Sequence, residues 1–402
     1  MKKSEWQKFP VLFSLYIAQS IPMSFFSTVV PVIMRQENYS LESIGLLQLV
    51  KLPWIVKFLW APIVDNRTEN TRQLRQWIIV SELFYAAVIL SIGIFSLQTD
   101  FRLIVVLMIV AFIASATQDI ATDAFAILLL KPGERGLGNS MQSAGSFVGT
   151  LFGTGVLLIA FHYFGWTILL VLLAAFVILS LIPLAIYGNR TPVEKGLRKR
   201  VTLADIRDFF TRHGIHKRVL VLSFYYSGII GVLAMLKPFL VDLGYSVKEI
   251  GFMSGIVGTT VAALSALLAG FIIKTIGSRK AMFIFPTVSF AAVSFFLYIS
   301  HHTPSVTSLY TGICLLWGAY GLSTVAIYTT SMDQVRPGRE GTDFTIQIVI
   351  THLSSLIIAI MSGKLGDLTG YTGLFGIEAL LCILTFVILL YAIPKEKSNG
   401  SF

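Results

Sequence analysis

The sequence predicts an all-α polytopic membrane protein whose twelve transmembrane helices form two pseudo-symmetric six-helix bundles. Three observations predict it: an apolar excess too large for a soluble globule, its division into runs of membrane-spanning length, and a repeat relating the two halves. Of 402 residues, 55% are hydrophobic and 13% charged, with a mean hydropathy of +0.78, against about 25% charged in an ordinary soluble domain. The runs are roughly 20 residues or longer, enough for a helix to cross a ~30 Å hydrocarbon core. A soluble enzyme, a nucleic-acid binder and a disordered regulator are poor readings of such a chain. Cys314 and Cys382, the only cysteines, lie in apolar runs and offer no disulfide framework, thiolate metal site or redox motif.

Lys2, Lys3 and Lys8 precede an apolar stretch from Phe9 to Met34. It is too long for a signal-peptide core and lacks an A-x-A-like cleavage site, so it reads as a retained first span. Hydropathy then places spans near 9–34, 42–64, 75–97, 102–128, 138–162 and 165–187, and near 218–242, 247–273, 279–300, 304–330, 341–363 and 371–393. Between the sets lies a long basic linker, 188–217, containing Arg190, Lys195, Arg198, Lys199, Arg200, Arg207 and Arg212. It separates an N-terminal bundle over 1–187 from a C-terminal bundle over 218–402. With both termini in the cytoplasm, about 24 of the 31 Lys and Arg fall in the termini and cytoplasmic loops, a strong positive-inside bias. Topology accounts in this way for most of the net charge of +10 without nucleic acid. A basic linker can also attract anionic lipid headgroups.

The halves repeat at an offset of about 205 residues. Tyr39-Ser-Leu-Glu-Ser-Ile-Gly45 matches Tyr245-Ser-Val-Lys-Glu-Ile-Gly251, and Lys131-Pro-Gly-Glu-Arg-Gly136 with Gln142 matches Arg336-Pro-Gly-Arg-Glu-Gly341 with Gln347. Gly165-Trp166 matches Gly370-Tyr371, and Pro31 corresponds to Pro238. Six helices per repeat give both copies the same direction through the membrane, the arrangement of transporters that rock two bundles about a central site.

The loop after span two, Ala61-Pro-Ile-Val-Asp65-Asn-Arg67, is echoed after span eight by Gly270-Phe-Ile-Ile-Lys274-Thr-Ile-Gly277-Ser-Arg279-Lys280. The pattern resembles the cytoplasmic loop motif of the major facilitator superfamily, although Ala61 replaces a glycine and Lys274 the acid. That resemblance implies that Asp65, with Arg67 beside it, latches the halves in the outward-open state, and that spans one, four, seven and ten line the cavity. Span two, with Lys57-Phe-Leu-Trp60-Ala-Pro62-Ile-Val-Asp65, and span four, with Gln118-Asp119-Ile-Ala-Thr-Asp123-Ala, are similar to the AmpG-related permeases. These include muropeptide importers and the RhtX/FptX siderophore branch. The compact length and Gly341-Thr-Asp343-Phe-Thr-Ile-Gln347 stand nearer the siderophore branch.

At 1.5 Å per residue, Lys57 lies about 22 Å and Asp119 about 26 Å below the outer ends of their helices. An isolated charge at such depth is costly, so pairing is expected. Asp119 and Asp123 are one turn apart on one helix face, where repulsion favours holding a proton. Two roles stay open, a static latch and proton coupling, beside simple snorkelling. Lys51, about 14 Å below Glu42 and near Gln48, could hold an anionic solute or form a fixed ion pair; Lys237 lies nearer the outer surface. Helical spacing puts Tyr16, Gln19, Met23 and Phe26 on one face of span one, and Trp317, Tyr320, Thr324 and Tyr328 on one face of span ten. Tyr225, Tyr226, Gln118, Gln142, Gln347 and His352 complete the cavity candidates. Gly145, Gly149 and Gly153 recur every four residues in span five and point to close helix packing. Glu82 and Glu378 are expected to pack structurally.

These features predict a monomeric secondary transporter of the bacterial cytoplasmic membrane that imports a large polar solute with protons and needs no cofactor or metal. A siderophore chelate is the first expectation for the solute and a muropeptide the second. An intramembrane metal-dependent prenyl or lipid transferase, built on Asp119 and Asp123, is the alternative of a different class. No G-x-x-x-x-G-K-[ST] loop for nucleotide phosphates occurs.

Overall fold

Backbone amides and carbonyls inside a hydrocarbon layer have no water to bond, so a chain this apolar must satisfy them within helices. The computed structural model describes residues 6–36, 47–187 and 200–393, and these are helical with no strand. Nine continuous stretches among them are long and apolar enough to cross a membrane. The interrupted second span, the polar-faced fifth and the division of the longest stretch into two are consistent with twelve.

That longest stretch, Glu340–Ala392, contains Gly370 at φ 67°, ψ 177°. Ser362 Oγ nevertheless donates a hydrogen bond to Glu378 Oε1 at 2.6 Å. Sixteen residues of straight helix would hold these groups about 24 Å apart, so the chain reverses at the glycine and spans eleven and twelve lie side by side. Gly165, its repeat mate, has nearly the same backbone, φ 70° and ψ −175°. The residue following each glycine fastens the turn: Trp166 Nε1 donates to the Phe95 carbonyl at 3.1 Å, and the Tyr371 hydroxyl donates to Asp242 at 2.5 Å.

Span two alternates 3-10 and α turns, Leu47–Lys51, Leu52–Val56, Lys57–Leu59 and Ala61–Asn66. Pro53 and Pro62 sit at the starts of the two α pieces, where a missing amide costs least, and the turns before them tighten. Span one, Lys8–Ser24, continues through a π turn at Phe25–Val29 into Val30–Gln36. It packs against span five at the recurring glycines: a methyl on Gly145 would stand 2.6 Å from the Phe13 carbonyl oxygen, and one on Gly153 2.5 Å from that of Ile21. Span three starts at Thr71 rather than 75, because Asn70 Oδ1 accepts from the Gln73 amide at 3.1 Å and caps the helix earlier.

The linker departs from a plain polar loop. Residues 188–199 lie outside the described residues, but Leu203–Thr211 is a helix, started by Thr202, whose amide donates to Asp205 Oδ2 at 2.8 Å. Span seven begins at Ile215, three residues before the hydropathy boundary.

Gly370→Ala is expected to cost about 1–3 kcal/mol, because a side chain is strained at this backbone conformation. It should lower the thermal midpoint of the purified protein, whereas Gly366→Ala, whose added methyl would meet only Leu374 at 3.7 Å, should leave it nearly unchanged.

Candidate functional site

Span four is one uninterrupted helix, Phe101–Leu129, which sets Asp119 and Asp123 one above the other. The Lys57–Leu59 turn of span two brings Lys57 into a buried ion pair with Asp119. The other Asp119 oxygen accepts from Gln19 Nε2 at 3.1 Å, and Asp123 accepts from the Tyr16 hydroxyl. The Lys57 ammonium also lies 4.6 Å from the centre of the Trp54 ring, a cation–π contact that helps replace lost water.

This cluster forms part of the wall of a cavity of about 300 Å³. Span one contributes Tyr16, Gln19 and Met23, span ten contributes Tyr320 and Tyr328, and span eleven contributes Phe344, Ile348 and His352. Trp54, Phe147 and Thr150, which no motif or charge in the sequence marked out, complete much of the lining. Gln19 Oε1 and Trp54 Nε1 are buried without a hydrogen-bond partner among the described residues.

Other sequence candidates lie elsewhere. Tyr226 packs at a tilt against Tyr320, with centroids 5.8 Å apart, and Tyr225 lies edge-on to Tyr226. Span seven therefore meets the cavity through Tyr320, while spans two, five and eleven supply lining that the resemblance did not assign to them. Trp317 fills the space over Gly258. Gln347 is tied up by Arg218, whose Nε donates to Oε1 at 2.9 Å. Gln142 and Gln118 are buried outside the lining, their amide groups without a hydrogen-bond partner among the described residues. Lys51 is half-buried, also outside it, and the Gln48 side chain lies outside the described residues.

Farther along span two, Asp65 accepts from the Gly341 amide at 3.1 Å and from the Thr342 amide and hydroxyl, each at 2.7 Å. A carboxylate of the first half thus caps span eleven of the second, where the exposed amides and helix dipole favour an anion. Lys274, at the corresponding position of the second repeat, cannot do this with a positive charge. Spans five and eight meet by close packing instead: a methyl on Gly136 would stand 2.7 Å from Ile273 Cγ2, and one on Gly270 2.6 Å from Ser140 Cβ. Arg135 pairs with Asp333 across the same face at 2.7 Å. Arg67 is exposed in a groove with Asn66, Arg200 and Gly338.

The linker helix joins this closure. Asp205 pairs with Arg339, and Asp343 takes Arg336 at 2.6 Å and Arg212 at 3.3 Å. Partial burial opposes ionisation of Asp205, but the Thr202 amide and the Arg339 guanidinium outweigh it and hold the carboxyl below the ordinary carboxylate range. The depressed folded value makes this contact stabilising above the unfolded pKa, and its contribution is lost as pH falls through the lowered value.

A sequence model of the Major Facilitator Superfamily matches residues 12–348 and 219–401. The chain belongs to the Major Facilitator Superfamily. It is a multi-pass membrane transporter and not an enzyme, which sets aside the transferase reading of Asp119 and Asp123. The anhydromuropeptide permease of Escherichia coli K12 is 25% identical over 368 residues, covering 90% of this chain and 75% of that protein. A putative transporter AmpG 4 of Rickettsia conorii is 20% identical over 401 residues, covering 96% of each. In fold, the chain is similar to a bacterial homologue of the iron transporter ferroportin in an outward-facing state, with TM-score 0.71 and 16% identity over 97% of this chain and 99% of that one. The human organic anion transporter MFSD10 gives TM-score 0.73 and 14% identity over 96% and 99%.

Lys57→Met leaves Asp119 buried without its counter-charge and is expected to cost about 3–5 kcal/mol; the double variant Lys57→Met/Asp119→Asn should recover most of that loss in thermal unfolding of the purified transporter. Arg339→Gln is expected to raise hydrogen exchange across Leu203–Thr211 at neutral pH, while in the unmodified chain the same rise should come only at acid pH.

Proposed function

We propose that this transporter is a proton-coupled importer of the bacterial inner membrane that moves a muropeptide-class solute by alternating access, with the face bearing Asp65, Arg135 and the linker in the cytoplasm. The observation that carries the reading is the neutral Lys57–Asp119 pair in the wall of a cavity between the halves. A buried pair tolerates the loss of one charge poorly. Protonation of Asp119 releases Lys57, which then requires another anion, and a solute carboxylate supplies it. Proton and solute together keep the site neutral; either alone leaves an unpaired buried charge. Asp123, one turn away and hydrogen-bonded to Tyr16, is the reserve acceptor in the same field.

The cavity walls suit a glycopeptide. Tyr16, Trp54, Phe147, Tyr320, Tyr328 and Phe344 offer flat apolar faces for sugar rings, Gln19 Oε1 and Trp54 Nε1 are unbonded among the described residues, and Lys57 takes a carboxylate. The names of these relatives favour the muropeptide over the siderophore expectation; the ferroportin homologue, at 16% identity, speaks to fold alone. Asp65, capping span eleven across the halves, acts in this reading as the latch that opens when the solute is delivered. The protein is taken to work as a monomer.

In proteoliposomes, accumulation of labelled anhydromuropeptide is expected to follow an imposed inward proton gradient. Asp119→Asn should reduce uptake to the equilibrium level while retaining exchange of solute between equal pools. Normal accumulation and pH dependence in that variant would remove Asp119 from coupling, and uptake of a ferric chelate in place of the glycopeptide would overturn the solute class. Asp65→Ala should increase alkylation from the linker side of a cysteine placed at Ser140, by loosening the closed face.

A further inference from the structure

Spans seven, nine, ten and twelve begin or end together at Ile215, Ser278, Met332 and Ala392, on the face that carries the linker. Between them lies a cavity of about 680 Å³, separate from the central one. Among the described residues its wall carries Lys217, Arg218 and Arg279, with His213 and His216, against one carboxylate, Asp333. That carboxylate is already engaged by Arg135 at 2.7 Å.

Arg218 is the informative residue. It is only 7% exposed, and its guanidinium donates to three neutral acceptors: Gln347 Oε1 at 2.9 Å, Thr330 Oγ1 at 3.2 Å and Ser331 Oγ at 2.6 Å. These bonds orient the group; the carboxylate whose charge reaches it, Asp333, is shared with Arg135, so two cations face one anion, and a buried cation is costly unless its charge is fully met. Topology explains exposed lysines and arginines on this face but not a buried one. The fold does not require it either: at the repeat offset of about 206, the first half builds the same corner with Pro10, Val11 and Leu12. Val221 and Met282 give the cavity an apolar wall beside its cationic one.

We propose that this cavity is a specific site for the phosphate of an anionic phospholipid from the surrounding leaflet. Arg218 and Lys217 take the phosphate oxygens, Arg279 adds charge, and the apolar wall faces the glycerol and acyl chains. Arginine presents paired donors to phosphate, and basic pockets between helix ends lie level with the headgroups. A soluble phosphate offers the same oxygens, but the membrane-level position and the apolar wall favour the lipid.

Native mass spectrometry of the full chain in detergent, titrated with phosphatidylglycerol or phosphatidylcholine, tests the site. One phosphatidylglycerol should be retained and phosphatidylcholine should not. Lys217→Gln/Arg279→Gln, which leaves buried Arg218 in place and is expected to fold, should weaken phosphatidylglycerol binding about 30-fold; Arg218→Gln should abolish it. Equal retention of phosphatidylglycerol by the double variant, equal retention of phosphatidylcholine by the unmodified chain, or displacement of the lipid by millimolar inorganic phosphate would each overturn the proposal.

Discussion

Inside the membrane a charge has to be answered by another charge, and the Lys57–Asp119 pair is where that constraint governs this molecule. The pair fixes where spans two and four touch, and it draws Gln19 of span one to the same carboxylate. The broken helix of span two serves it. Without the 3-10 turn at Lys57–Leu59, the lysine would follow the regular helical screw of its neighbours instead of the turn that meets Asp119. The cavity is assembled around this contact, with aromatic walls supplied by four other spans.

The two halves meet by different physics on the two sides of the interface. Asp65 caps span eleven through three hydrogen bonds, an interaction that can be made and broken as a unit. Spans five and eight meet through Gly136 and Gly270, where missing side chains let backbones approach. A hydrogen-bonded cap is directional and opens abruptly; a small-residue contact tolerates sliding. In the proposed alternating-access reading, the first serves as a catch and the second as a bearing. The asymmetry follows from one sequence difference, Lys274 standing where the first repeat has Asp65.

Much of the fold was legible because its signals are local. Run length gives the spans, and the Gly165 and Gly370 pair marks a turn at the same place in each repeat. The boundaries of spans three and seven were not, since they depend on the Asn70 cap and on how the linker packs. Depth counting put Lys57 and Asp119 at similar depth, because the 3-10 turns of span two change its rise by only about 3 Å. Trp54, Phe147 and Phe344 gave no signal, since an aromatic facing a cavity and one facing lipid read alike. Gln142 and Gln347 looked like cavity residues from their repeat positions, yet Gln347 is turned toward Arg218 and Gln142 lies outside the lining.

The sequence by itself determined that this chain spans a membrane many times, that its halves are duplicates, and which few charges lie too deep to be ornamental. The pairing of Asp119 with Lys57 was expected from depth; only the tertiary structure decided the other partners: Asp123 with Tyr16, Asp65 with the start of span eleven, and Arg218 with neutral groups beside a second cavity. The reason is physical. Hydropathy and helical period act along the chain, whereas compensation of a buried charge is settled between helices far apart in sequence, by whichever group the packing brings within reach.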